Sequence, residues 1–277
     1  MTMLHILMST YNGERYLAEQ LDSILAQTYT DWCLFIRDDG SKDGTKAILD
    51  AYAAKDPRIT IVRDTENVGA CRSFERLLEQ CGGADYYAFA DQDDVWDADK
   101  LAICMQVIRA QEKAYPGKPI VVHTDLRVVD EQLQNMAPSF WKYSNIQADL
   151  IDAHPHYLAI CNSVTGCAML FNEAARACAL PMSKDAYMHD AWVALMTVCR
   201  GGQLVPVHRA PIAYRQHEGN VLGAVHYSTF GRSVSRRVYE AGISYCRSRG
   251  YVYRNKLHFL LWKTIYFIHR TLRGNRA

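Results

Sequence analysis

Three carboxylates lie within four residues at the end of an apolar segment, in the run Asp91-Gln92-Asp93-Asp94. Like charges this close repel one another, so we expect something to offset the repulsion. A divalent cation with oxygen ligands would do so, and Mg²⁺ or Mn²⁺ suits carboxylates combined with substrate phosphates. The alternative is an acidic N-cap, in which Asp94 or Asp97 caps the helix that begins near Ala98.

A second polar cluster, Asp38-Asp39-Gly40-Ser41, ends another apolar segment. A carboxylate at this place can accept the imide N–H of a uracil or thymine ring, or contact a ribose hydroxyl. The alternative is turn and N-cap chemistry, with Ser41 or Asp43 capping the next helix. Both interpretations can hold for different residues.

The alternation of apolar segments predicts how these clusters are positioned. A βαβαβαβ order indicates an α/β fold, with a parallel sheet and helices on both faces, in which ligands bind outside the carboxyl ends of the strands. The clusters that follow strands one, two and four should therefore converge on one edge of the sheet. The predicted strands are 4–9, 32–37, 59–63 and 86–90, and the predicted helices are 16–27, 45–54 and 71–80.

The second half of the chain is less regular, with predicted strands at 120–123 and 167–171 and a helix at 190–199. Asp190 at the start of this helix can cap it or act as a base on a hydroxyl, and the residues alone leave both open. Neither a G-x-G-x-x-G nor a G-x-x-x-x-G-K-[ST] motif follows the first strand, which argues against dinucleotide dehydrogenase and P-loop chemistry.

Charge divides the chain into an acidic body, residues 1–225, and a basic tail, residues 226–277. The tail holds 11 of the 31 Lys and Arg residues and one acidic residue, Glu240. Within it, residues 254–270 combine apolar and aromatic side chains with flanking Lys and Arg, which is typical of an interfacial helix on an anionic membrane. Docking of the basic face on the acidic body is the alternative. No nucleic-acid-binding motif is present, so no nucleic acid partner is expected.

The chain has nine cysteines, an odd number without a C-x-x-C pair. Their positions in apolar segments favour buried free thiols in a reduced, cytosolic compartment, and the missing ligand spacing disfavours zinc. The short apolar N-terminal run is predicted as a strand, so no secretory signal is expected. No apolar segment reaches the length of a membrane-spanning helix.

Taken in order, these motifs resemble those of the inverting family-2 glycosyltransferases, which have the GT-A fold. The rhamnosyltransferase-like subgroup is the most similar, since Ala-Asp-Gln-Asp-Asp-x-Trp is typical of it. The resemblance covers roughly residues 3–223 and implies a mixed, mainly parallel sheet. One departure is the pair Ser73-Phe74, which stands where many relatives have Arg-Asn. The matching motifs are Ser9-Thr10-Tyr11-Asn12, Asp38-Asp39-Gly40-Ser41-x-Asp43-Gly44-Thr45, Asn67-Val68-Gly69, Asp91-Gln92-Asp93-Asp94, Thr165-Gly166-Cys167, His189-Asp190-x-Trp192 and Tyr214-Arg215-Gln216-His217.

The resemblance implies a role for each matching residue. Asp190 falls at the position of the catalytic base, and Gly166 lies near the donor sugar and the acceptor. Asp93 would bind the metal that bridges the diphosphate, Asp91 would lie near the ribose or the metal, and His217 would approach the metal or the diphosphate. Ser9 and Asp39 would hold the nucleobase, with Asp38 close by. The full set of nucleotide-sugar-binding positions is Ser9, Tyr11, Asp38, Asp39, Gly69, Asp91, Gln92 and Gly166.

The implied reaction moves one sugar from a UDP- or dTDP-sugar, with Mn²⁺ or Mg²⁺, to a glycan linked to polyprenyl diphosphate. It belongs to O-antigen- or capsule-type polysaccharide biosynthesis at the inner face of the cell membrane. About residues 1–100 would bind the donor and about residues 101–225 the acceptor. Trp96, Trp192 and Asp125 are candidate acceptor contacts, and packing in the core is the alternative for the two tryptophans. A sugar nucleotidyltransferase and a non-catalytic nucleotide-sugar-binding module are the alternatives.

Overall fold

A computed structural model describes residues 3–64, 66–220, 223–224 and 251–274. The strands and helices predicted for the first ninety residues are all present, with boundaries within two residues of those expected. The elements in chain order are β1 (Leu4–Thr10), α1 (Leu17–Leu25), β2 (Trp32–Asp38), α2 (Thr45–Lys55), β3 (Ile59–Val62), α3 (Ala70–Gln80), β4 (Tyr86–Ala90), β5 (Val95–Trp96), α4 (Lys100–Ala114), β6 (Ile120–Thr124), β7 (Arg127–Val129), β8 (Asn135–Ala137), α5 (Phe140–Tyr143), α6 (Ala148–Asp152), α7 (Pro155–Ile160), a 3₁₀ turn (Gly166–Ala168), β9 (Met169–Asn172), α8 (Glu173–Ala179), α9 (His189–Cys199), β10 (Gln203–Val207), β11 (Ile212–Arg215) and α10 (Lys256–Gly274).

The main sheet has seven strands in the order β10-β6-β9-β4-β1-β2-β3. Every neighbouring pair is parallel except the two that include β9, which runs antiparallel to both β4 and β6. Parallel neighbours need crossover connections, and helices α1 and α2 supply them between β1, β2 and β3. The predicted mixed, mainly parallel α/β fold is confirmed.

Both faces of the main sheet are covered by helices. Successive side chains of a strand point to opposite faces, so each strand contributes to the packing on both. On β1, Leu4, Ile6 and Met8 pack on one side of the sheet, together with side chains of α1, α2 and α4. Leu7 packs on the other side, with side chains of α3 and α9. Burial on both faces explains why such strands read as continuous apolar runs in the sequence.

A second sheet of four short strands, in the order β5-β11-β7-β8, was not predicted. Its strands are two to four residues long, too short for periodicity to be visible. β5 begins directly after Asp94 and pairs with β11, which ends at Arg215. This pairing brings the chain after Arg215 beside the acidic turn that follows β4.

The three polar clusters meet at one edge of the main sheet, as predicted. β1 lies between β2 and β4 and is parallel to both, with Thr10 opposite Asp38 and Met8 opposite Ala90. Asp91 follows Ala90 directly, so all three clusters emerge at the carboxyl ends of adjacent strands.

The described part of the basic tail packs on the body. Helix α10 lies against α7, with Phe259 and Tyr266 almost fully buried and the Trp262 ring stacked on His156 at a centroid distance of 4.0 Å. This described part of the tail is therefore docked, and aromatic contacts hold it there. Across the described ranges, every helix falls short of the length and apolarity needed to cross a bilayer. The predicted boundary at residue 225 lies outside the described residues and stays a prediction.

Candidate active site

A cleft of about 610 Å³ opens at the polar edge of the main sheet. The segments that follow β1, β2 and β4 form one part of its wall, and the start of α9 forms another. Most of the predicted site residues therefore share a single cleft, although they come from distant parts of the sequence. Those that line it are Ser9, Tyr11, Asp39, Gly69, Asp91, Gln92, Asp93, Gly166 and Asp190.

Asp39 is fixed at the cleft wall by three donors. Its Oδ1 accepts hydrogen bonds from the buried Arg37 guanidinium and from Val68 N (2.9 Å), and its Oδ2 accepts one from Gly69 N (2.8 Å). Gly69 adopts a φ of 78°, a left-handed conformation that suits glycine. Arg37 Nη1 also donates to Ser73 Oγ (2.9 Å). Because each carboxylate oxygen accepts about two hydrogen bonds, Oδ2 keeps capacity for one more.

Asp38 is not among the residues that line the cleft. Its Oδ1 accepts hydrogen bonds from Ser41 N (3.2 Å) and from the hydroxyls of Ser41 and Thr10, so it stabilises the turn after β2. Gln92 does line the cleft, and its amide both accepts from Tyr11 N (2.9 Å) and donates to Tyr11 O (3.0 Å). Gln92 thus holds the ends of β1 and β4 together.

The Asp93 carboxylate is held by residues that follow β11. Asp93 Oδ2 lies 2.8 Å from His217 Nε2 and accepts a hydrogen bond from Asn220 Nδ2 at 3.3 Å. Asp91 lines the cleft beside it. Burial, and then the charges of Asp93 and Asp190, raise the pKa of Asp91 above its ordinary value. The repulsion expected from the sequence is therefore present, and the carboxylate oxygens fit Mg²⁺ or Mn²⁺.

Asp94 points into the protein interior instead. Its Oδ1 accepts a hydrogen bond from Arg215 N (3.1 Å), whereas no partner of Oδ2 is found among the described residues. Helix α4 begins at Lys100, so Asp94 does not cap it. Ligand atoms of Asp91, Asp94 and Cys167 lie within 4.8 Å of one another. Burial raises the pKa of the Cys167 thiol, so the thiol stays protonated and is a poor ligand for a hard cation.

Asp190 is the second residue of α9, and it lines the cleft. Its Oδ1 accepts a hydrogen bond from Ala191 N (2.6 Å), whereas the N-cap position of α9 is Met188, so Asp190 does not cap the helix. Burial raises the pKa of Asp190 to about 6, against the lowering effect of hydrogen bonds from the Ala191 and Gly166 backbone. Its charge in turn raises the pKa of Asp91, which means that the two carboxylates interact across the cleft.

His189, next to Asp190, is packed between aromatic rings. Its ring stacks on Phe74 at a centroid distance of 3.8 Å and lies edge-on to Phe89 at 4.6 Å. Burial lowers the pKa of His189 to about 3, so the ring is neutral at physiological pH. Gly166 lies against this ring, because a Cβ on Gly166 would be 2.9 Å from His189 Nε2 and 3.6 Å from Asp190 Cβ.

Replacing Gly166 by alanine should therefore displace His189 and Asp190. We expect a loss of about 1–3 kcal/mol in the free energy of unfolding, as is usual for overpacking, and a lower rate of catalysis. Thermal denaturation and turnover measured on the same preparation check this. Gly44→Ala is the matched control, since its Cβ would meet only the flexible end of Glu14 at 2.7 Å. Unchanged melting and turnover in Gly166→Ala would contradict the prediction.

The three candidate acceptor contacts do not line the cleft. Trp192 is buried and donates from Nε1 to Ala179 O (2.7 Å). Trp96 is buried beneath the Lys100 ammonium, which lies 3.4 Å from its ring centroid. Asp125 accepts hydrogen bonds from Leu126 N and Trp141 N and from Ser139 Oγ. These internal contacts give all three residues structural functions.

Three residues that hold the site received no role from the sequence. Arg37 binds Asp39, and Asn220 binds Asp93. Arg215 Nε donates to Asp93 O (2.8 Å) and its guanidinium pairs with Glu19. Arg215 stands inside one of the matching motifs and Arg37 directly precedes another. Their places in or beside these motifs were the only features of the sequence that could have indicated a role.

The amino-acid sequence matches a known family over most of the body. The model of the family described as "Glycosyl transferase family 2" matches residues 5–177. A putative teichuronic acid biosynthesis glycosyltransferase of Bacillus subtilis is 38% identical over 99 residues, covering 36% of this chain and 39% of the relative. A dTDP-rhamnosyl transferase of Shigella flexneri is 40% identical over 98 residues, covering 34% of each chain. An Escherichia coli enzyme named as a UDP-Glc:alpha-D-GlcNAc-diphosphoundecaprenol beta-1,3-glucosyltransferase is 33% identical over 99 residues, covering 36% of this chain and 38% of the relative. The matches thus span less than half of these relatives' lengths.

Solved structures share the fold at low sequence identity. The TarS protein of S. aureus, in a complex with UDP-GlcNAc, superposes with a TM-score of 0.62 and 16% identity over 94% of this chain and 69% of that chain. A mannosyltransferase of Pyrobaculum calidifontis, in a complex with GDP-Man and Mn²⁺, gives a TM-score of 0.59 and 19% identity over 80% of this chain and 58% of that chain. These likenesses confirm the fold expected from the sequence motifs.

Proposed function

This chain belongs to glycosyltransferase family 2, and we propose that it transfers one sugar, with inversion, from a nucleoside-diphosphate sugar to a lipid-linked glycan. The observation that carries the proposal is that Asp39, Asp93 and Asp190 line one cleft. Sugar transfer needs a contact for the nucleobase, a charged site for the diphosphate and a base for the acceptor hydroxyl. The three aspartates supply one of each, in positions set by separate elements of the sheet edge.

The donor in this proposal carries uracil or thymine. Asp39 Oδ2 retains acceptor capacity, and the ring N–H of either base is a donor, whereas cytosine offers an acceptor at the same ring position. Ser9 lies on the same wall, and its hydroxyl donates to Ser73 Oγ (2.6 Å). The names of the Shigella and Escherichia relatives, which specify dTDP and UDP donors, support this choice.

Asp93 and Asp91 are proposed to hold Mn²⁺ or Mg²⁺ together with the donor diphosphate, near His217. A bound divalent cation stabilises the charge that develops on the departing nucleoside diphosphate. His217 and Asn220 fix the orientation of the Asp93 carboxylate before any ligand binds. Arg215 holds the backbone of the same turn through Asp93 O, so the turn is preorganised for binding.

Asp190 is proposed as the catalytic base. As the acceptor hydroxyl attacks the anomeric carbon, the bond from that carbon to the diphosphate oxygen breaks, the nucleoside diphosphate leaves, and an Asp190 carboxylate oxygen takes the hydroxyl proton. A pKa of about 6 makes Asp190 more basic than an exposed aspartate, yet it is still mostly unprotonated at neutral pH. The backbone amides of Ala191 and Gly166 hold the carboxylate in place during this transfer.

The acceptor is proposed to be a glycan on polyprenyl diphosphate, presented at the inner face of the cell membrane during polysaccharide biosynthesis. The diphosphoundecaprenol acceptor in the name of the Escherichia relative supports this class of acceptor. The basic composition of residues 226–277 supports contact with an anionic membrane surface. The family match leaves the sugar nucleotidyltransferase alternative without support.

The proposal is tested by a thermal-shift screen of UDP-, dTDP- and GDP-sugars with and without Mn²⁺ or Mg²⁺. Ligand at about 100 times its Kd should stabilise the folded protein by about 2.7 kcal/mol. We expect a UDP- or dTDP-sugar to do so only with the cation, and then to be turned over with a polyprenyl-diphosphate-linked sugar as acceptor. Stabilisation by no nucleotide sugar would contradict the proposal. Tight donor binding without turnover in any acceptor mixture would favour a non-catalytic module.

A further inference from the structure

Helix α10 has two different faces, and within the part of the chain that the structure describes, one of them packs on the body. On the inner face, Phe259 and Tyr266 are buried, and His269 Nδ1 lies 2.7 Å from the Tyr157 hydroxyl of α7. The helix therefore has a fixed rotation about its own axis. The side chains on its outer face therefore point in a defined direction relative to the body.

The outer face carries an apolar stripe, which is interrupted by the exposed residues Thr264 and Thr271. Its members are separated by three, four or seven residues, which places them on one side of an α-helix. Leu257 is 77% exposed, and the other members are 45–60% exposed. Isolated exposed leucines are common, but a contiguous exposed apolar patch marks an interaction surface. The stripe consists of Leu257, Leu260, Leu261, Phe267, Ile268 and Leu272.

Basic side chains flank this stripe. Lys256, Lys263 and Arg270 recur every seven residues, so they form a row along one edge of the helix. Residues 251–277 contain no Asp or Glu. An apolar stripe with a basic border matches an anionic lipid surface, where the stripe enters the acyl boundary and the cations meet the headgroups. A charge-neutral protein partner would not require such a border.

We propose that the outer face of α10 docks in the plane of an anionic lipid bilayer while its inner face stays on α7. This inference rests on the proposed function in one respect, the membrane-borne acceptor. It goes further by identifying the contacting side chains and the orientation of the helix. In this arrangement helix α10 contacts the body and the membrane at the same time.

The docked helix also links the membrane to the cleft. Arg270 donates from Nη2 to Asn145 O (2.8 Å), and Gln147 Nε2 donates to Arg270 O (3.3 Å). Ile146, which lies between Asn145 and Gln147 in the sequence, lines the cleft. The last turns of α10 are therefore one short segment away from the cleft wall. A bilayer on the outer face of α10 would lie near the side where the acceptor must enter.

The test is sedimentation of the full chain with vesicles of phosphatidylcholine alone or with phosphatidylglycerol added. The wild type should bind the anionic vesicles, less tightly at high salt, and the double variant Leu261→Glu/Ile268→Glu should bind at least about tenfold more weakly. Ala47→Glu/Ala51→Glu is the matched control, because it adds the same charge to exposed positions of α2. It should bind like the wild type.

Equal vesicle binding by wild type and the α10 double variant would overturn the proposal, as would a wild type that binds no vesicles. Loss of binding by the α2 control, or a wild-type dimer that the α10 substitutions dissociate, would overturn it as well. Donor-induced thermal stabilisation, measured on every variant, shows that each is folded. A wild type that binds vesicles but no donor would overturn the proposed function and uphold this surface.

Discussion

Replacing Asp93 by alanine is expected to abolish the cation-dependent binding of a uridine or thymidine diphosphate. Asp93 lines the cleft beside Asp91, and His217 and Asn220 hold its carboxylate. Without Asp93, only Asp91 of the two proposed carboxylate ligands remains to bind the cation together with the diphosphate. Ligand-dependent stabilisation of about 2.7 kcal/mol, reached at about 100 times the Kd in the wild type, should fall to near zero in the variant. Few single substitutions in this cleft should cost more binding.

The measurement is the melting temperature of both proteins with nucleotide, with cation, and with both together. Asp50→Ala is the matched control, since it removes a carboxylate from an exposed position on α2 far along the chain from the acidic turn. The control should retain the full cation-dependent shift. If Asp93→Ala binds the nucleotide with manganese as well as the control does, Asp93 is not a metal ligand.

The sheet edge and its polar clusters were predictable because they depend on local pattern. β1 and β4 are buried on both faces, so their apolar runs are conspicuous, and the polar residues after them mark the strand ends. Parallel pairing then decides that Thr10 and Asp38 lie side by side. No long-range information was needed beyond the βαβ order.

The supports of the site were not predictable in the same way, because they depend on contacts between distant residues. Arg215 lies 122 residues beyond the Asp93 carbonyl that it binds, and Asn220 lies 127 residues beyond the Asp93 carboxylate. Their approach depends on the pairing of β5 with β11, two strands too short to leave a periodic pattern. The N-cap considered as an alternative for Asp94 is absent for the same reason, since its contact is with Arg215 N.

The candidate acceptor contacts show a different limit of the sequence. For Trp96 and Trp192 two uses were open, filling the core, which is the more common use of tryptophan, and stacking on the acceptor sugar. Composition cannot separate these uses, whereas burial does. The cleft is also lined by Phe140, Ile146 and Asn162, which no motif singled out.

Replacing Asp190 by asparagine should remove transfer while leaving donor binding intact. Asparagine has nearly the same shape and can keep the contact with Ala191 N, but it cannot accept a proton from the acceptor. General base catalysis contributes about 10²–10⁴-fold, so kcat should fall by a factor in this range. The cation-dependent thermal shift with donor should match that of the wild type, which separates a chemical defect from a folding or binding defect.

The pH dependence of kcat distinguishes a base from a merely positioned carboxylate. Burial raises the pKa of Asp190 to about 6, and a base works only when unprotonated. The wild-type kcat should therefore be constant above that pH and fall about tenfold per unit below it. A cation bound nearby lowers the pKa, which moves the falling limb to lower pH and never to higher pH. The residual rate of Asp190→Asn should lack this limb, because asparagine does not titrate. Normal transfer by the variant, or an acid limb that survives the substitution unchanged, would remove Asp190 as the base and leave the hydroxyl proton to another group in the cleft.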